Sequence, residues 1–513
     1  MNEFPRYAAV ALLCLAWTGR AAAQTPVTSD EPTSSGAPST RGGLTTHEAV
    51  EKALRNNPSF HSQLLAREQA AQRVQLEAGA FPWEFQADGS YTHAENPSLG
   101  PNQSVVTSTN DTVSLGSQLD KTFPTGTGLR FRVQGDRYDT RRPSASLAGD
   151  SSVSRGIGYE MSARATVTQP LLQGRGRRVN LASLRSARIG RVQAERTVEY
   201  QASSLAADVL VAYWELWYAS RAVEIERGAL ILAEQQYREA EARRLQGALA
   251  PVDVLTFETR VAELKEAVVS AEATEQQRRV ALEQLVGGTR IGTLLSSPPG
   301  HLTLPTEDAI VKELEANSPE IAQLQERVRL AESNAEFAGE TYRARLDLES
   351  YVEARGLGNE RLPPAAEQVA GLDAVSGHVG LVYRTPLDRR RRDAARADAN
   401  LEVSIAKSDL ESARQRLHAD AATLVSTARS AEASLAAARQ TASIAERQFE
   451  AEKQRFAAGA STPIQVQEAE DTLRQARHRV ERARVTLLQT AVDLDHVTGA
   501  LRRQYAAAIA ALE

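Results

Sequence analysis

Residues Gly247 to Leu255 read GALAPVDVL, and residues Gly459 to Gln467 read GASTPIQVQ. In both, a helix-compatible run stops at a glycine and restarts at a proline, the chemistry that closes one helix and opens the next. Working outward at the same ungapped offset, Gln236-Tyr237 falls on Gln448-Phe449, Leu282 on Leu494 and Gly287 on Gly499. Upstream, EAVEKAL from Glu48 to Leu54 resembles DAIVKEL from Asp308 to Leu314. Each is followed by an Asn and a Pro, at Asn57-Pro58 and at Asn317-Ser318-Pro319. A register shared over about fifty residues is internal duplication, so the chain is two copies of one plan.

Each copy reads helix, strands, very long helix, turn, helix. In the first, Thr45 and Glu48 form a capping box that opens a helix running to about Gly79. A second helix runs from about Arg178 to Gln246, and a third to about Val286 before Gly287-Gly288. The second copy repeats this from Thr306 to about Arg345, from Asp388 to Ala457 and from Pro463 to about Leu501. The predicted organisation is a first repeat over 44–288 with strands in 81–170, a linker over 289–305, a second repeat over 306–501 with strands in 346–385, and a C-terminal tail over 502–513. At 1.5 Å per residue a helix of about 70 residues spans roughly 100 Å, and a helix of about 37 residues roughly 55 Å. Two short helices end to end therefore match one long one, giving a rod rather than a ball. Leu205, Val209, Ala212, Leu216 and Ala219 have the spacing of an inter-helix seam.

Between the first two helices of each copy the period changes to two. Val113, Leu115, Leu119 and Phe123 share a face opposite Ser114, Gln118 and Asp120. Leu129, Phe131 and Val133 oppose Arg130, Arg132 and Gln134. Phe85 to His93, Tyr159 to Thr168, Leu346 to Ala354 and Val379 to Thr385 alternate similarly. Segments of about ten residues with one apolar and one charged face suit a transmembrane barrel whose charges face a watery lumen. A soluble sandwich with one wet face alternates in the same way. The connections Leu99–Asn110, Arg141–Gly156 and Gly358–Ser376 are long and polar whereas Pro124 to Gly128 is a short turn, which favours the barrel. Six strands cannot close a wide barrel and open edges are forbidden in lipid, so several chains must share it.

The start of the 513-residue chain reads as a secretory signal over 1–23: Arg6, an apolar run from Ala8 to Trp17, then Ala21-Ala22-Ala23 before Gln24. Residues 24–43, rich in Ser, Thr, Pro and Gly, read as a disordered lead-in. The one cysteine, Cys14, lies in the apolar run after Leu13, which is too large for a lipoprotein cleavage site, so no disulfide and no lipid anchor are expected. A net charge of -5 offers no basic stripe, so no nucleic-acid partner is expected. The eight histidines lack metal-ligand spacing, and no glycine loop or catalytic constellation stands out. The expectation is a non-enzyme with no metal and no cofactor.

Several of these residues together resemble the TolC-like outer membrane efflux proteins. They are the opening around Glu48 with Asn57-Pro58, the strand end Thr168-Gln-Pro-Leu-Leu172, Tyr213-Trp-Glu-Leu216, and the duplicated turn. The resemblance covers essentially the whole chain after residue 43. It implies a mixed, mainly α fold: two structural repeats of long antiparallel coiled-coil helices forming a periplasmic tunnel, plus strands contributing to a shared trimeric transmembrane β-barrel. It further implies a homotrimer in the outer membrane, recruited by a periplasmic adaptor (membrane fusion) protein and an inner-membrane transporter. The protein would be the passive exit duct of a tripartite efflux pump or type I secretion system. The rival reading is a periplasmic coiled-coil scaffold without a channel. The family's best-known members give two strands per copy, whereas the first copy here gives four. The extra pair either joins the barrel, for 18 strands rather than 12 in a trimer, or folds away as a plug or collar.

The resemblance also assigns positions. Gate candidates are Asp253, Gln465 and Glu468, where family members often carry acidic rings; a solvated helix charge is the alternative for Glu468. Adaptor-docking candidates are Gly247, Ala248, Leu249, Gly459, Ala460 and Ser461, whose small side chains permit close approach at the helix tips. Arg175, Arg177 and Arg178, with Arg389 and Arg390 in the second copy, follow the last strand of each repeat. They would either meet outer-membrane lipid phosphates or stand as a solvated junction. Tyr213, Trp214 and Trp217 read as packing residues between helices.

Overall fold

Asn57-Pro58 and Ser318-Pro319 break what the pattern reads as one opening helix in each repeat. Proline has no N–H to continue the ladder, and the residue before it is pushed out of the helical region. Asn57 then caps the second segment, its Oδ1 accepting from the backbone N–H groups of Ser59 and Phe60 at 3.0 and 3.1 Å. The structure is a computed structural model and describes residues 43–99, 105–145, 151–298 and 306–510. The expected signal segment, nearly all of the lead-in and the end of the linker lie outside the described residues.

The first repeat contains α1 (Thr46–Asn56), α2 (Pro58–Ala78), β1 (Trp83–Leu99), β2 (Val105–Thr122), β3 (Gly128–Ala145), β4 (Ser151–Pro170), α3 (Arg177–Asn180), α4 (Ala182–Leu245) and α5 (Pro251–Leu285). The second contains α6 (Glu307–Asn317), α7 (Pro319–Phe337), β5 (Arg345–Asn359), α8 (Pro363–Gly371), β6 (Val375–Arg384), α9 (Arg390–Ala457) and α10 (Pro463–Val497). The short helices α11 (Ala500–Gln504) and α12 (Ala506–Ala510) follow. The chain is mainly helical. The 64-residue α4 and 68-residue α9 each run roughly 100 Å. α4 is flanked by α2 and α5, and α9 by α7 and α10, so one long helix is matched by two shorter ones in each repeat. No helix among the described residues is long and apolar enough to cross a membrane.

The duplication is visible in backbone geometry. Gly287 has φ +84°, and a Cβ there would sit 2.5 Å from the carbonyl oxygen of Asn56. Gly499 has φ +73°, and a Cβ there would sit 2.3 Å from the carbonyl oxygen of Asn317. Each glycine ends the last long helix of its repeat against the end of the first, where only glycine fits.

The largest apolar cluster lies where α4 crosses α1, α5, α10 and the C-terminal helices. It joins Tyr213, Leu216 and Trp217 to Leu54, Leu282, Val485, Leu501 and Tyr505. Tyr213 and Trp214 meet edge to face at 5.3 Å between ring centres, as the packing reading anticipates. The buried Tyr213 hydroxyl donates to Leu44 O and accepts from Ser296 N, both at 2.9 Å. Leu44 also bridges Leu294 in parallel. One phenol thus ties the residue ahead of α1 and the inter-repeat linker to the middle of α4.

The six strands form one antiparallel sheet in sequence order, β1-β2-β3-β4-β5-β6. β1 to β4 run 17 to 20 residues, well beyond the expected ten, and absorb most of the connections read as long loops. Their outer ends are rich in Thr and Ser, and a strand continues wherever its neighbour offers a ladder, whether or not one face is apolar. The third connection contains α8, which packs on β5. Gln368 brackets the backbone N–H and carbonyl of Leu357 at 3.1 and 3.0 Å.

Tyr213→Phe should leave the Ser296 N–H unsatisfied, whereas the Leu44 carbonyl keeps its bond from Leu295 N at 3.0 Å, a cost of about 1–3 kcal/mol. We expect limited proteolysis in the linker to accelerate while helix content by circular dichroism stays unchanged. Unaltered cleavage would show that the clamp does not hold the linker.

Candidate functional site

Paired residues of an antiparallel sheet point to the same side, so the register sorts its side chains into faces. One transverse row reads Phe85, Leu119, Phe131, Ala165, Val352, Gly377, and the adjacent row reads Gln86, Gln118, Arg132, Arg164, Glu353, Ser376. The first face is apolar yet open: Phe85, Leu115 and Leu381 are all about two-thirds exposed. The second carries compensated charge, with Arg130 to Asp120 at 2.7 Å, Arg132 to Asp88 at 3.1 Å, Arg164 to Glu353 at 2.9 Å and Arg355 to Glu160 at 3.3 Å. One face suits hydrocarbon and the other water.

The apolar face has a definite height. On β1 it runs from Trp83 to Tyr91, about nine residues or ~30 Å of strand, which at a tilt of about 40° is a band of roughly 23 Å. Aromatic residues mark its ends, Trp83 and Tyr383 at one and Tyr91 and Tyr159 at the other, as residues with one apolar and one polar end do at membrane interfaces. Beyond Tyr91 the same face turns ionic. Arg155 grips Asp139 through two bonds of 2.9 and 2.5 Å, and His93 meets Asp111 at 2.7 Å. The long strands therefore continue past the apolar band into a charged crown.

At the other end of the sheet lie the junction arginines. Arg175, Arg177, Arg389 and Arg390 are exposed and have no ion-pair partner among the described residues, which leaves them available to an anionic surface. Arg178 is engaged instead, paired with Glu336 of α7, which Arg185 also reaches at 2.8 Å.

The two helical turns share one geometry. Gly247 and Gly459 adopt φ +73° and +76°. Ala248 N donates to Arg243 O at 2.9 Å, and Ala460 N to Arg455 O at 2.8 Å. Gly247, Ala248, Gly459 and Ala460 are exposed at these tips, whereas Leu249 packs partly against Val254 and Phe257. Ser461 and Gln465 serve the local cap: Gln465 Oε1 accepts from Ser461 Oγ at 3.0 Å and from Thr462 N at 3.1 Å. Of the gate candidates, Glu468 is exposed and Asp253 half-buried, and neither has an ion-pair partner among the described residues.

Just above the tips an ionic joint ties the repeats together. Arg260 of α5, nearly buried, pairs with Asp471 of α10 and reaches Glu263 at 3.3 Å. Arg474 holds Glu226 of α4 at 2.8 Å, and His478 reaches the same carboxylate at 2.8 Å. Beside them Glu470 is only 3 % exposed, and neither of its carboxylate oxygens has a hydrogen-bond partner. Burial pushes its carboxyl above the usual range, against the opposing pull of Arg260.

Residues 310–500, most of the second repeat, match the outer membrane efflux protein family. No curated protein sequence matches the chain. Among solved structures it is similar to the outer-membrane channel OprN, with a TM-score of 0.65 at 16% identity over 88% of this chain and 89% of that one. The CmeC outer membrane channel of Campylobacter jejuni gives 0.64 at 13% over 88% and 85%. The outer membrane protein VceC of Vibrio cholerae gives 0.61 at 15% over 88% and 96%. At these identities the likeness is one of fold, and it extends over both repeats.

Two features of the site escape a sequence reading. Val252 and Ile464, each directly after a tip proline, are 66% and 59% exposed, so both tips present a matching apolar residue. The aligned Pro251-Val252 and Pro463-Ile464 pairs carried that signal. The ionic joint left no local signal, because its partners are 211 and 248 residues apart.

Because the folded chain favours protonated Glu470, this group's contribution to stability is greatest in acid. It falls as pH rises from the ordinary carboxylate range toward the raised folded value. Glu470→Gln keeps the neutral shape, so its unfolding midpoint should exceed wild type at about pH 7.5 and converge with it near about pH 4.5. A midpoint difference independent of pH would refute a protonated Glu470.

Proposed function

We propose that the protein is the outer-membrane exit duct of a tripartite efflux pump or type I secretion system, a passive conduit with no chemistry of its own. The observation that carries this is the sheet. It exposes a roughly 23 Å apolar band on one face, lines the other with paired charges, and leaves the outer edges of β1 and β6 unpaired. Such edges are untenable in hydrocarbon, so three copies closing one barrel is the natural assembly. Long helices of roughly 100 Å continue from that sheet, the reach needed to cross the periplasm. The channel would thus sit in the outer membrane with a large periplasmic portion.

The tips at Gly247 to Leu249 and Gly459 to Ser461, with Val252 and Ile464 beside them, suit docking of a periplasmic adaptor that brings an inner-membrane transporter. Arg175, Arg177, Arg389 and Arg390 suit the phosphates of the inner leaflet. Glu468 and Asp253 are the acidic groups free to form a constriction, whereas the role of Gln465 in the helix cap argues against it as a gate. A coiled-coil scaffold would have no use for an exposed apolar sheet face.

Membrane fractionation followed by mass determination in detergent tests the assembly. A trimer from the outer membrane is expected, and a soluble periplasmic monomer would sink the reading. For the gate, Glu468→Gln should lower cation preference in planar bilayers, read as a shift of reversal potential toward zero under a salt gradient. An unshifted potential removes Glu468 from the constriction.

A further inference from the structure

The second repeat contributes two strands and the first contributes four, so the β2–β3 hairpin has no counterpart. It could stand in a barrel wall or fold inward as a plug. Its pairing argues for the wall: β2 is laddered to β1 along all of β1, and β3 to β4 out to Ala145 and Ser151. Folding it inward would break both ladders. Its faces agree, since Leu119, Phe131 and Val133 continue the exposed apolar band while Arg130 and Arg132 continue the charged face. A plug in water would expose that apolar surface without return.

The hairpin is also fastened at its lower end. Gly176 N donates to Thr125 O at 2.9 Å, and the Asn180 side chain donates to the carbonyls of Gly174 and Gly176 at 2.8 and 3.0 Å. Gly126, at φ +90°, lies where a Cβ would be 2.3 Å from Gly174 O, so only glycine allows this contact. The turn is thereby locked to the segment joining β4 to α4.

We propose that all six strands of each chain stand in the wall, so that three chains close an eighteen-stranded barrel in which β6 of one copy pairs with β1 of the next. This rests on the trimeric channel reading above. An even meander makes the closing pair antiparallel like every other. The ten residues of β6, which place Val375, Val379, Leu381 and Tyr383 on the apolar face, are long enough to seal the joint through the bilayer. The longer β1 leaves its excess edge in the charged crown, in water. At about 4.8 Å between strands and a tilt of about 40°, eighteen strands give a backbone diameter of roughly 36 Å, against roughly 24 Å for twelve. The membrane mouth is then about 1.5-fold wider than four strands per chain would make it, and the size limit on cargo falls to the helices beneath.

The test is electron microscopy of the detergent-purified particle, for the full chain and for a variant lacking residues 105–145, in which β1 leads directly to β4. A trimer of the full chain with a barrel of about 36 Å, shrinking to about 24 Å in the deletion, is the expected result. A full-length trimer whose barrel is already about 24 Å would overturn the wall while leaving the channel reading standing. A full chain that is not trimeric would overturn both. Should the deletion not fold, Phe131→Cys in a full chain carrying Cys14→Ser gives an independent readout. In lipid vesicles it should resist a water-soluble maleimide that labels a tip residue, Val252→Cys, and equal labelling of the two would place the hairpin in water.

Discussion

Hydrocarbon offers no partner to a backbone N–H or carbonyl, and each one left unpaired there costs several kcal/mol. The organisation of this chain follows from that constraint. β2 to β5 satisfy both edges within the sheet, while β1 and β6 each keep one edge open. On the proposed channel reading the sheet is incomplete as a membrane structure, and another copy of the chain is the chemically matched cover for its edges. The ten-residue β6 and the long β1 also show where the constraint ends. Pairing is obligatory through the apolar band and optional in the crown, where Arg155 and His93 stay open to water and pair with Asp139 and Asp111.

The helical part faces the opposite problem, because water satisfies its exposed backbone freely and long helices gain stability only by burying a seam. The seams here are built largely of alanine with scattered Leu and Val, as in Ala421, Val425 and Ala428 of α9, which brings the helices close but contributes little apolar area at each level. Larger residues are concentrated where several elements meet, around Tyr213 and Trp217. Charges take over near the tips, where Arg260, Asp471, Arg474 and Glu226 hold the two repeats together. A buried ionic joint adds little net stability and is strongly destabilised by loss of one partner, which makes it a specific fastening rather than a strong one.

The duplicated plan constrains how far the two repeats can diverge. Gly287 and Gly499 seat against Asn56 and Asn317 in the same backbone conformation, and Gly247 and Gly459 close the tips alike. Divergence is concentrated in the sheet, where one repeat has four strands and the other has two with α8 between them. A meander tolerates an inserted hairpin because two antiparallel strands restore both direction and facing for the next, so the helices below keep their places.

The lengths of the two long helices, the tip turns and the two faces of the strands were legible in the sequence because each depends on local signals: Gly and Pro at helix ends, and a period of two along a strand. The length of β1 to β4 was not legible, since their Thr- and Ser-rich outer ends are strands only because a neighbouring strand offers a ladder. Nor were the Tyr213 clamp between Leu44 and Ser296, the helix α8, or the joint linking Arg260 to Asp471. The turn Pro124 to Gly128 could be read as tight, but its lock onto Gly174 and Gly176 could not. By itself the sequence determined two repeats of long helices flanking amphipathic strands. The tertiary structure decided how far the strands extend, where the extra hairpin lies and which buried charges meet, because those depend on partners that the folded chain alone brings together.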